Sequence, residues 1–147
     1  MREYVKRIVL LSCFAMLAAF SHAESDTSTE AKEAFHNTLP AMTQALIKAS
    51  YKEKADIIDS IAAIEDDNKL LILQSLLDNK LYYQKKSQDR ILIVDMALVK
   101  AKKPNAMLDA FSQEDVAGLS KRAVKRIGVN NALRRNLRSH LSLLKIT

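Results

Sequence analysis

Four arginines, Arg126, Arg134, Arg135 and Arg138, surround two adjacent asparagines, Asn130 and Asn131, in the stretch RIGVNNALRRNLRSHL. A guanidinium is a permanently charged planar donor that matches carboxylate or phosphate, so arginines gathered in one segment point to contact with an anionic partner. No acid follows Asp115, whereas Lys121, Arg122, Lys125, Arg126, Arg134, Arg135, Arg138 and Lys145 all do. The C-terminal quarter is therefore strongly basic, within a chain of net charge +6. On a helical wheel Arg134, Arg138 and Lys145 line one edge of a leucine stripe and Arg135 points away. Such a face also serves simply to be solvated, its long stems covering apolar surface.

Other chemistry is scarce. His36 and His140 lie far apart without metal-ligand spacing, so no metal site is expected, and His140 reads as a boundary or core histidine. The only glycines, Gly118 and Gly128, form no phosphate-cradling loop and no nucleophile elbow. Asp66 and Asp67 are adjacent acids at a helix start, where carboxylates usually cap. The basic quarter has no aromatic residue on which bases could stack, so nucleic acid is not an expected partner. The sequence calls for no cofactor and no enzyme activity.

These residues need elements to hold them. Thr38-Leu39-Pro40 reads as a helix start, with Leu39, Met42, Leu46 and Ala49 forming its apolar face to about Ala49. Ser50-Tyr51-Lys52-Glu53 has capping-box spacing ahead of Ile57, Ile58, Ile61 and Ile64. A third helix begins at Leu70 and is apolar on more than one side. Short connections make the three antiparallel neighbours. The expected fold is mainly α, with helix pairs of HEAT-like or α-solenoid type and a plain helical bundle as the alternative.

Leu81, Tyr82 and Tyr83, then residues 91–94, favour strand and predict one inserted β-hairpin near 81–95. Residues 96–108 read as a loop or short irregular helix. Ser112-Gln113-Glu114-Asp115 resembles another helix start, with Val116, Leu119, Ala123 and Val124 as its apolar set and Gly128 as its end. Last, Asn130 or Asn131 caps a helix on which Leu133, Leu137, Leu141 and Leu144 form an inward stripe.

Residues 1–23 read as a secretory signal: basic MREYVKR, the apolar run of residues 8–20, then Ser21-His22-Ala23 as the cleavage site. An uncleaved anchor is the alternative, although the apolar run falls short of the ~20 residues that span a bilayer. Cleavage would remove the one cysteine, Cys13, and leave 20 basic and 16 acidic residues, a charge of +4. Residues 24–37 are polar and read as a flexible lead-in, leaving 38–147 as the helical-repeat-like domain.

VNNALRRNLRSHL, preceded by Lys125-Arg126-Ile127, resembles the Val-Asn-Asn-x-Leu-Arg-Arg segment in the extracytoplasmic N-terminal region of urea ABC transporter permease subunits, relatives of the branched-chain amino-acid permeases. LLILQSLLDNKLYYQKKSQDRILIVD is similar to the helix and strand pair of that region. The resemblance covers residues 42–144 and is specific in those two blocks. It implies an exported interaction module of a urea or amide uptake system, periplasmic or on the extracytoplasmic face of the membrane. The chain would be either a truncated or split permease product or a detached module beside a separate permease. Its expected partners are transporter components, a permease or solute-binding protein, met through Arg126, Arg134, Arg135 and Arg138, with Asn130 and Asn131 setting the helix. The alternative is a free periplasmic protein that binds anionic polymer or membrane surface through the same segment.

Overall fold

The computed structural model describes residues 38–146; the leader, Cys13 and the polar lead-in lie outside the described residues. In order come α1 (Leu39–Ala45), α2 (Tyr51–Ala63), α3 (Lys69–Leu77), β1 (Leu81–Gln84), β2 (Ile91–Val94), α4 (Met96–Lys100), β3 (Met107–Asp109), a 3-10 turn (Lys121–Ala123), β4 (Val124–Arg126) and α5 (Asn131–Leu144).

The first helices start where the sequence says they should. Thr38 is extended at the head of α1 with Pro40 in the first turn, and α1 gives way to turns after Ala45 rather than at Ala49. Both arms of the Ser50–Glu53 capping box are made: Glu53 N–H donates to Ser50 Oγ at 3.3 Å and Ser50 N–H to Glu53 at 2.7 Å. At the far end of α2 the Lys69 ammonium donates to the Ile64 carbonyl at 2.7 Å and the Ala62 carbonyl at 3.4 Å, serving acceptors the helix leaves open. Helix α3 ends in a Schellman turn: Asn79 N–H bonds Leu76 O, Lys80 N–H bonds Ser75 O, and Asn79 is left-handed at φ 59°.

Beyond α3 the chain departs from the expected mainly helical repeat with one hairpin. The fold is mixed α and β, with a four-stranded antiparallel sheet in the order β3-β2-β1-β4. The hairpin β1–β2 is its centre, in the register Leu81↔Ile93, Tyr82↔Leu92 and Tyr83↔Ile91. The physical reason lies in β2: Ile91, Leu92 and Val94 are all buried, so apolar side chains leave the strand on both faces. The helices α1, α2, α3 and α5 cover one face only. Leu81, Tyr83, Ile91 and Ile93 pack with the α1, α2, α3 and α5 side chains, whereas Leu92 and Val94 pack with Met107, Val116 and Val124 on the other, beneath Met96, Val99 and Leu119.

Of two further expectations, the short helix allowed for residues 96–108 forms and the helix at Ser112 does not. Residues 96–108 contain a real helix, α4, with Asp95 Oδ1 accepting from the Ala97 and Leu98 amides at its start. It closes in a second Schellman turn, in which Lys103 N–H bonds Leu98 O and Lys102 is left-handed at φ 52°. The helix expected from Ser112 does not form. Gln113 at φ 57° and Gly118 at φ 85° turn the backbone left-handed, and the apolar set packs from turns and a strand instead: Val116 and Val124 plug the second sheet face with Leu119 against them. In α5 the predicted stripe is real, with Leu133, Leu137 and Leu141 at 4% exposure or less and Leu144 half-buried. The helix lies against α2 and α3.

Candidate functional site

Antiparallel pairing of β1 with β4 joins residues some forty positions apart. Tyr83 stands opposite Lys125 and Gln84 opposite Val124, so the end of β1 carrying Lys85 comes beside Lys125 and Arg126. These three cations, with Tyr83, Gln88 and Val124, line an open cleft of about 640 Å³. The turn that shapes one wall is fixed: Gln88 is left-handed at φ 55°, its N–H bonds Gln84 O, and its carbonyl accepts from Gln44 of α1 at 3.3 Å. Among the described residues no carboxylate lines the cleft, and Lys85, Lys125 and Arg126 have no ion-pair partner. All three are exposed. The described lining is therefore cationic, suited to carboxylate or phosphate.

The four arginines singled out in the sequence do not share one surface. Arg126 is in β4 opposite Tyr82, so its side chain leaves the sheet on the face covered by α4. Arg134, Arg135 and Arg138 are in α5, which packs on the opposite face. Arg134 is half-buried and donates to Asn79 Oδ1 at 3.2 Å, tying α5 to the turn between α3 and β1. Arg135 and Arg138 are exposed. Of the asparagines, Asn130 is the cap, its Oδ1 accepting from Leu133 N–H at 2.9 Å, and Asn131 is the exposed first residue of α5. Lys85 and Lys125 are the members missed as a site: Lys125 counts in the basic quarter, but only the β1–β4 pairing brings Lys85 to it.

Two other polar groupings connect α2 to the C-terminal part. Asp59 Oδ1 accepts from Asn136 Nδ2 at 3.0 Å and meets His140 Nε2 at 2.7 Å. Those hydrogen bonds, from Asn136 first and His140 second, hold the Asp59 carboxyl below its usual range. An Asp–His pair can orient an imidazole for base catalysis. Here no hydroxyl or thiol is bonded to the ring among the described residues, and the group acts as a clasp between α2 and α5. Lys54 is the second grouping. It is 8% exposed, its ammonium donates to Gly128 O at 2.9 Å, and it lies 5.3 Å from the Tyr51 ring centre. Burial pulls its pKa below the usual lysine range.

The acids expected to cap α3 do not: no side chain caps its first turn, and Asp66 Oδ1 instead accepts from Asn68 N–H at 2.8 Å, within the turn that precedes the helix. No group of three His, Cys, Asp or Glu residues able to hold a metal exists among the described residues, and no helix there is long and apolar enough to cross a membrane. No family model, no curated protein and no solved structure matches this chain.

Proposed function

We propose that this chain is a non-catalytic docking module whose basic cleft takes an acidic segment of a protein partner. The observation that supports this reading is one open cleft at β4 lined by Lys85, Lys125 and Arg126, Lys125 from the helical face of the sheet and Arg126 from the other, with no carboxylate among its described lining residues. Exposed cations of this kind raise the encounter rate with an acidic partner and choose against basic ones. Arg135 and Arg138, exposed on α5, add to the long-range attraction, while Arg134 holds the fold through Asn79.

The resemblance of VNNALRRNLRSHL to urea-type permease subunits makes the partner to test first a component of a urea or amide ABC uptake system, met on the extracytoplasmic side of the membrane. The experiment is co-purification of the full chain with the permease and solute-binding protein of such a system. Reversing Lys85 and Lys125 together to glutamate is expected to abolish recovery of the partner. Undiminished recovery by the reversed, folded chain would count against the reading.

A second reading is contact with an anionic membrane surface, favoured by exposed Leu143 and Ile146 on either side of the pair Leu144-Lys145. Binding to anionic vesicles that is lost on replacing Ile146 with serine, with protein partners ignored, would favour it over the first.

A further inference from the structure

The two edges of the sheet are treated differently. In β1 the odd-numbered residues bond to β4, as Ile127 N–H to Leu81 O and Lys85 N–H to Ala123 O show, and the even ones to β2, as Gln84 N–H to Arg90 O and Val94 N–H to Lys80 O show. The same alternation runs outward to both edges. At β3 the outward groups are met by the chain's own return: Asp109 N–H bonds Glu114 O, and Val116 N–H bonds Met107 O, beside the bridge Leu108↔Asp115. That edge is closed.

At β4 the outward groups are those of Val124 and Arg126. Among the described residues no hydrogen bond reaches the main chain of either on that side. Gly128, next in the same phase, gives its carbonyl to Lys54, which ends the open stretch. An uncovered edge is a template for another strand. Among the described residues the side of β4 left open is bordered by the cleft of Lys85, Lys125 and Arg126, whose charge selects what can lie there.

We infer that an acidic segment of the partner binds in extended form as an added strand on β4, pairing with the outward main-chain groups of Val124 and Arg126 while its carboxylates meet Lys85, Lys125 and Arg126. Main-chain pairing supplies the geometry and the side chains supply the choice of sequence. This rests on the docking reading above and adds the conformation of the occupant.

The test is amide hydrogen exchange of the full chain, free and saturated with a short acetylated and amidated peptide of alternating glutamate and threonine. In the free chain the Val124 and Arg126 amides exchange fast and that of Lys125, facing β1, exchanges slowly. Saturation is expected to slow Val124 and Arg126 by at least about tenfold and to leave Lys125 unchanged. A peptide that saturates without slowing those two amides overturns strand addition and leaves acidic docking standing. A peptide that does not bind at all removes both. Slowing that grows with protein concentration in the absence of peptide would assign the edge to a second copy of the chain and overturn the proposal.

Discussion

Asn130 and Asn131 are the same residue type side by side, yet only the first has the extended backbone that lets its carboxamide turn back onto the helix. Asn130→Ala is therefore expected to destabilise the chain by about 1 kcal/mol in urea unfolding. Asn131→Ala, exposed in the first turn, should stay within about 0.5 kcal/mol of the parent. Asp59 makes a prediction in pH. Its carboxyl is held below the ordinary range by Asn136 and His140, so the folded chain binds fewer protons there than the unfolded chain does. Its stabilising contribution is complete above the ordinary carboxylate range and is lost as pH falls through the lowered one. The stability gap between the parent and Asp59→Asn should persist at neutral pH and close in acid. The gap is small, at the low end of about 0.2–1 kcal/mol, because Asp59 is more than half exposed to screening water.

The elements were legible where one local cause sufficed. Capping at Ser50 and Asn130 and the leucine stripe of α5 act within a turn or two, and they fall where spacing puts them. Strands β3 and β4 are three residues each and owe their form to partners far along the chain, so local pattern could not announce them. One signal was present: Ile91, Leu92 and Val94 bury both faces of β2, which a lone hairpin on a helical layer cannot do. The two Schellman turns carry a contrast to test. Lys102 holds a left-handed backbone without glycine's freedom, so Lys102→Gly should stabilise the chain by up to about 1 kcal/mol, the left-handed cost removed less the entropy added to the unfolded chain. Asn79→Gly should give no such gain, since asparagine tolerates that backbone and Asn79 also accepts from Arg134. In thermal unfolding the two substitutions would separate in sign or size. A larger effect belongs to the core: Leu137, fully buried between α5 and its neighbours, should cost about 2–5 kcal/mol as alanine.

Over the whole described chain the one-sided charge was plain from the sequence, but its arrangement was not. A wheel drawn on residues 131–144 places Arg134 and Arg138 correctly along the helix, yet it cannot know that Asn79 holds one of them or that the sheet separates both from Arg126. The cleft instead unites Lys85 with the basic quarter through strand pairing. An acidic ligand should therefore feel the two basic surfaces unequally. Affinity for the alternating glutamate–threonine peptide, measured by titration calorimetry on folded charge-reversal variants, tests this most directly. Lys85→Glu with Lys125→Glu should weaken binding by at least about tenfold, and Arg135→Glu with Arg138→Glu, an equal change in net charge, by much less. Equal losses in the two variants, or none in the first, would contradict a docking site at the cleft.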